Sequence, residues 1–134
     1  MYSYILLAHF LPHLSMTKTI LIADDDKELV YVLRYILKEE GYDVVGFSES
    51  YLLLDTMRIM HPDLVLLDLH FGNADGREIC RNIKQSELDT NVILISGDND
   101  LKEATSEDGA PDDVLAKPFN LSELMAKIRH QLAA

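Results

Sequence analysis

Five short runs rich in Val, Ile and Leu recur along the chain, at residues 19–23, 44–47, 64–67, 92–95 and 114–116. They are apolar almost throughout rather than alternating, as expected of strands covered on both faces. Between them the apolar positions change to helical spacing. Leu29, Val32, Leu33, Ile36 and Leu37 line one face of a helix predicted over 27–40, and Gly41 closes it. Leu52, Leu53, Leu54, Met57 and Met60 give a second helix over 51–60, stopped by Pro62. A third, over 78–84, carries Ile79, Cys80 and Ile83. The stretch 98–113 is polar, with Leu101 and Ala104 as its anchors, and predicts a short, weakly held helix. Asn120 and Glu123 form a capping pair ahead of a last helix bearing Leu121, Leu124, Ile128 and Leu132.

Strand and helix thus alternate five times, the pattern of an α/β domain with a parallel sheet and right-handed crossovers, doubly wound. In such sheets ligands bind outside the carboxyl ends of the strands. Those ends hold the chain's most distinctive polar residues. Asp24, Asp25 and Asp26 follow the first run, Asp68 the third, Ser96 the fourth, and Lys117-Pro118 the fifth. Acids from two strands and an ammonium from another would share one pocket, suited to a divalent cation and a phosphoryl group.

Charge sharpens this picture. The 134 residues carry 23 Asp and Glu against 12 Lys and Arg, a net charge of -11. That sign argues against nonspecific nucleic-acid binding, which depends on neutralising phosphates. Cys80 is the only cysteine, which excludes an internal disulfide, and its helical setting reads as a small buried hydrophobe. His9 and His13 are four apart, but Pro12 between them spoils a shared helix face. Residues 1–15 differ from the rest and read as an N-terminal extension, disordered or docked, before a domain spanning 16–134. Their apolar run is too short to span a bilayer, so no membrane anchor is expected. Its hydrophobes offer a route to a homodimer.

The segments LIADDDKEL, DLVLLDLHFGNADG, NVILIS and DDVLAKPF, in that order and at those intervals, resemble the receiver domain of two-component response regulators, of the chemotaxis-regulator type. The resemblance runs from about Thr17 to the end. It implies a flavodoxin-like sheet of order 2-1-3-4-5 with five helices. It implies that Asp68 accepts a phosphoryl group from a phosphohistidine, with Asp24, Asp25 and Asp68 holding Mg²⁺ together with the His70 backbone carbonyl. Ser96 and Lys117 would contact the phosphoryl oxygens, and a cis bond before Pro118 would aim the lysine. The implied partners are a histidine kinase or histidine phosphotransfer protein and a downstream protein target, with no nucleic acid and no membrane. The implied location is cytoplasmic, and the implied activity is confined to the domain's own phosphorylation and dephosphorylation rather than an enzyme's turnover.

Elementary electrostatics agrees with these roles. A carboxylate and a phosphoryl group are both anionic, so attack needs a hard cation and a lysine to offset the repulsion. Two departures touch the output side. Val114 stands where the family usually has an aromatic, and Gly72 where proline is common. His70, with Asp98, is placed to influence how fast an acyl phosphate hydrolyses. Two other readings are compatible with the residues. One is a receiver-like interaction module that works without phosphorylation. The other is a small haloacid-dehalogenase-like phosphohydrolase with Asp24 as nucleophile and Asp26 as acid.

Overall fold

The structure, a computed structural model, describes residues 17–97, 101 and 108–133. Strands β1 (Thr19–Ala23), β2 (Asp43–Phe47), β3 (Leu64–Asp68), β6 (Asn91–Ser96) and β7 (Asp113–Ala116) form one parallel sheet in the order β2-β1-β3-β6-β7. A two-stranded antiparallel hairpin, β4 (His70–Phe71) and β5 (Ala74–Asp75), stands apart. With that hairpin left out of the count, the order is the expected 2-1-3-4-5. Helices α1 (Lys27–Glu39), α2 (Leu53–Met60), α3 (Gly76–Gln85) and α4 (Leu121–Leu132) flank the sheet. The described residues therefore hold four helices rather than five. The remaining expected helix, within 98–113, falls mostly outside them, as does the extension at 1–15. Leu101, one of its expected anchors, is buried, whereas Ala104 is outside the described residues.

Successive strand side chains point to opposite faces, and here each face builds its own core. Leu21, Ala23, Val65, Leu67, Val92 and Leu94 pack with Leu53 and Met57 of α2 and with Cys80 and Ile83 of α3. Ile20, Ile22, Leu64, Leu66, Ile93 and Ile95 pack with Leu33 and Leu37 of α1 and with Leu124, Met125 and Ile128 of α4. Burying a Val, Leu or Ile of this kind contributes about 1.5–3 kcal/mol. Two layers of such residues hold the strand ends, and hence the rim acids, in fixed register.

Local signals set the helix ends. Asp26 caps α1 by accepting the Leu29 N–H, and Gly41 follows its end at φ 97°. Asp75 caps α3 through the Arg77 N–H, and Asn120 caps α4 through the Glu123 N–H. Helix α2 departs from expectation at its start. No side chain caps it at Leu52, so it begins at Leu53, and Tyr51 and Leu52 stay exposed. It ends at His61, left-handed at φ 50°, one residue before Pro62.

Candidate functional site

Register brings the rim residues together. Ala23 pairs with Leu67, so Asp24 and Asp68, one residue beyond Ala23 and Leu67, stand side by side. Asp68 pairs with Ile95 and Ser96 with Ala116, which brings Ser96 and Lys117 to the same edge. The backbone locks these positions. The Asp24 N–H donates to Phe47 O at 3.1 Å, the Leu69 N–H to Ile95 O at 2.8 Å, and the Lys117 N–H to Ser96 O at 2.9 Å. The bond between Lys117 and Pro118 is cis.

At this rim the Lys117 Nζ lies 3.0 Å from Asp24 Oδ2 and 3.7 Å from Asp68 Oδ2. Asp24 and Asp68 are buried and Asp25 is exposed. The other Asp24 oxygen accepts the Asp26 N–H at 2.9 Å, and Asp68 Oδ1 accepts the His70 N–H at 3.2 Å. Ser96 is buried beside them at 2 % exposure, while His70 is exposed.

One lysine does not balance three acids. Burial raises the Asp68 carboxyl above its ordinary value and the charge of Asp24 raises it further, against the opposing pull of Lys117 and the His70 N–H. Burial alone would lower Lys117, but the hydrogen bond it donates to Asp24 and the charges of Asp24, Asp68 and Asp26 outweigh it and raise the ammonium. The lysine is therefore firmly cationic, and the acids still repel one another.

Asp24, Asp25 and Asp68 each offer a carboxylate oxygen within 4.8 Å of the others. An all-oxygen set open to water on the Asp25 side suits a hard divalent cation such as Mg²⁺, which keeps part of its hydration shell. Beside the acids, Asp26, Leu29, Lys117, Pro118 and Phe119 line an open cleft of about 470 Å³. Asp26 caps α1 through Oδ1, which accepts the Leu29 N–H at 3.2 Å. Cys80 lies away from this rim, and burial pushes its thiol up to about 11. Asp98 is outside the described residues.

The sequence reading missed one part of the site. The loop after Asp68 is the β4–β5 hairpin, pairing His70 with Asp75 and Phe71 with Ala74. The signal was present in the two-residue turn Gly72-Asn73 between short strand-like pairs. Gly72 sits there at φ 63°.

The family profile of the response regulator receiver domain matches residues 20–129. Among solved structures, the Mg²⁺- and BeF-bound TrrA response regulator from Thermotoga maritima is similar at 29% identity and a TM-score of 0.76, covering 86% of this chain and 99% of that one. The BeF3-activated receiver domain of RstA from Klebsiella pneumoniae matches at 25% identity and a TM-score of 0.77, covering 87% and 100%. The receiver domain of NtrX from Brucella abortus matches at 26% identity and 0.75, covering 84% and 97%.

Proposed function

The chain belongs to the response regulator receiver family, the phosphoryl-accepting modules of two-component signal transduction, and from that premise we propose that Asp68 is its acceptor. The observation that carries this reading is the meeting of Asp24, Asp25, Asp68 and Lys117 at one rim. An Asp68 oxygen forms the new O–P bond as the P–N bond to a donor imidazole breaks, and that bond's electron pair returns to the ring nitrogen. Lys117 and the Ser96 hydroxyl receive the equatorial phosphoryl oxygens. Asp24, Asp25 and Asp68, with the His70 carbonyl, hold Mg²⁺, which when bound offsets the charge of the incoming group.

The domain then acts only on its own phosphorylation and loss of phosphate. Its donor is a histidine kinase or a histidine phosphotransfer protein, approaching over the cleft at Leu29, Pro118 and Phe119 and the exposed Tyr31, Val32 and Tyr35 of α1. Phosphorylation shifts a two-state equilibrium that a downstream protein reads. A cytoplasmic location belongs to the same reading. Among the described residues no helix is long and apolar enough to cross a membrane.

Incubation with Mg²⁺ and a small acyl phosphate, followed by intact-mass measurement, tests the assignment. The wild type gains one phosphate and Asp68→Asn gains none. No gain in the wild type, or an equal gain in the variant, contradicts it. Val114, half-buried against the core where the family usually has an aromatic, favours a second reading in which partners bind without phosphorylation. Partner affinity indifferent to the phosphodonor would support that one.

A further inference from the structure

The acceptor does not hold its position by strand register alone. Gly76, first residue of α3, lies buried against the backbone that carries Asp68. Its N–H donates to Leu69 O at 2.6 Å, closing the base of the β4–β5 hairpin. A Cβ on Gly76 would stand 2.5 Å from Asp68 O, 2.7 Å from Leu69 Cα and 2.9 Å from Leu69 O. All three are backbone atoms, which no side-chain rotation can move aside. Leu69 is fixed from the other side as well, since its N–H donates to Ile95 O. Leu69 and Phe71 are both buried and anchor the hairpin in the core beneath. His70, between them, donates its N–H to Asp68 Oδ1.

We propose that Gly76 is a positioning residue for phosphoryl acceptance. Its missing side chain lets the start of α3 seat directly on the Asp68–Leu69 backbone, so the hairpin 69–76 works as a clasp. That clasp fixes the acceptor carboxylate and the His70 peptide together, the two groups that must face the same cation. The inference rests on the functional reading above and adds the residue that keeps its geometry. A group held this way is pre-organised, and displacement of the strand end by a fraction of the Cβ overlap disturbs nucleophile and metal ligand at once.

Three alanine variants test it. Gly76→Ala inserts the backbone clash. Gly72→Ala places a side chain at the hairpin tip, where φ is 63° and nothing lies within 4 Å, so it strains the clasp without a clash. Gly46→Ala is the control. Its Cβ would also meet an atom at 2.5 Å, but that atom is the side-chain Cγ1 of Val30 on α1, and Gly46 lies on β2, which β1 separates from the strand that ends at Asp68. Thermal stability, Mg²⁺ affinity by titrated melting, and initial phosphorylation rate at saturating Mg²⁺ are measured for each.

Gly76→Ala should bind Mg²⁺ roughly tenfold more weakly and accept phosphate on the order of a hundredfold more slowly. Gly72→Ala should shift both quantities the same way by less. Gly46→Ala should lower stability and leave both unchanged. A folded Gly76→Ala that loses stability as Gly46→Ala does, with Mg²⁺ affinity and rate intact, overturns the proposal. If Gly76→Ala does not fold, Gly72→Ala decides: weakened Mg²⁺ binding supports the clasp and unchanged binding refutes it. A wild type that binds Mg²⁺ yet takes no phosphate fails the functional reading, and the Mg²⁺ affinities of the variants still decide this one.

Discussion

Both rims of the central sheet carry aspartates, and they use them in opposite ways. At the amino rim Asp63, Asp112 and Asp113 each have their own partner. Asp63 Oδ2 accepts the Thr19 N–H at 2.8 Å. Asp112 Oδ2 accepts the Val92 N–H at 2.7 Å and an ammonium proton from Lys84. Asp113 pairs with Lys127 at 3.1 Å. Thr90 and Asn91 complete that edge by donating to the carbonyls of Pro62 and Gln131. At the carboxyl rim Asp24 and Asp68 share one lysine, Lys117, and Asp25 brings a third carboxylate within 4.8 Å of theirs. The same residue type thus ties elements together at one end and stores repulsion at the other. The uncompensated end is where a ligand can contribute binding energy, because only there does an added cation relieve a strain already present.

The widest separation between the rims should appear in Lys117→Ala. Losing the ammonium proposed to receive the phosphoryl group should slow phosphorylation by roughly 100-fold or more, as removal of a single charge-stabilising donor typically does. Initial rates with a small acyl phosphate check this, and a rate near wild type would erase the distinction. Asp112→Ala makes the complementary cut. It leaves the Val92 N–H without its acceptor and Lys84 with the Thr90 carbonyl alone, and should cost about 1–3 kcal/mol in denaturant unfolding. Mg²⁺ affinity and phosphorylation should not change.

Metal-free stability sharpens the contrast through pH. The folded Asp68 carboxyl titrates above its ordinary 3.8, so its ionisation penalises the native state. That penalty is absent below pH 3.8 and grows as pH rises through the folded value. Asp68→Asn should therefore melt higher than wild type at neutral pH without Mg²⁺, and the gain should vanish in acid. Mg²⁺ should reverse the order by stabilising the wild type more. The smallest effect belongs to neither rim. Cys80 is raised from 9.0 to about 11, so the wild type should lose a little stability as pH climbs through that interval. Cys80→Ala should not lose that share, as alkaline melting curves can show.

The acids of the carboxyl rim were legible in the sequence because a strand covered on both faces reads as an unbroken apolar run. Asp24, Asp68, Ser96 and Lys117 each mark the point where such a run stops or the next residue begins. Tyr51 and Leu52 misled because their apolar spacing continued a helix that, lacking a cap side chain, starts later. Gly76 was visible only as a glycine after an aspartate. That its Cβ would strike the carbonyl of Asp68 depends on how α3 is laid against β3, which no one-dimensional pattern records. The hairpin between them is too short for periodicity to mark, although its turn residues were in plain view.

The claim that the unbalanced rim is an acceptor site is tested most directly by trapping the product in place. The protein is phosphorylated with a small acyl phosphate and Mg²⁺, reduced with borohydride, and mapped by peptide mass. An acyl phosphate at Asp68 converts that residue alone to homoserine, and omission of Mg²⁺ abolishes the conversion. Conversion at Asp24 or Asp25 instead, or at no residue, would contradict the account.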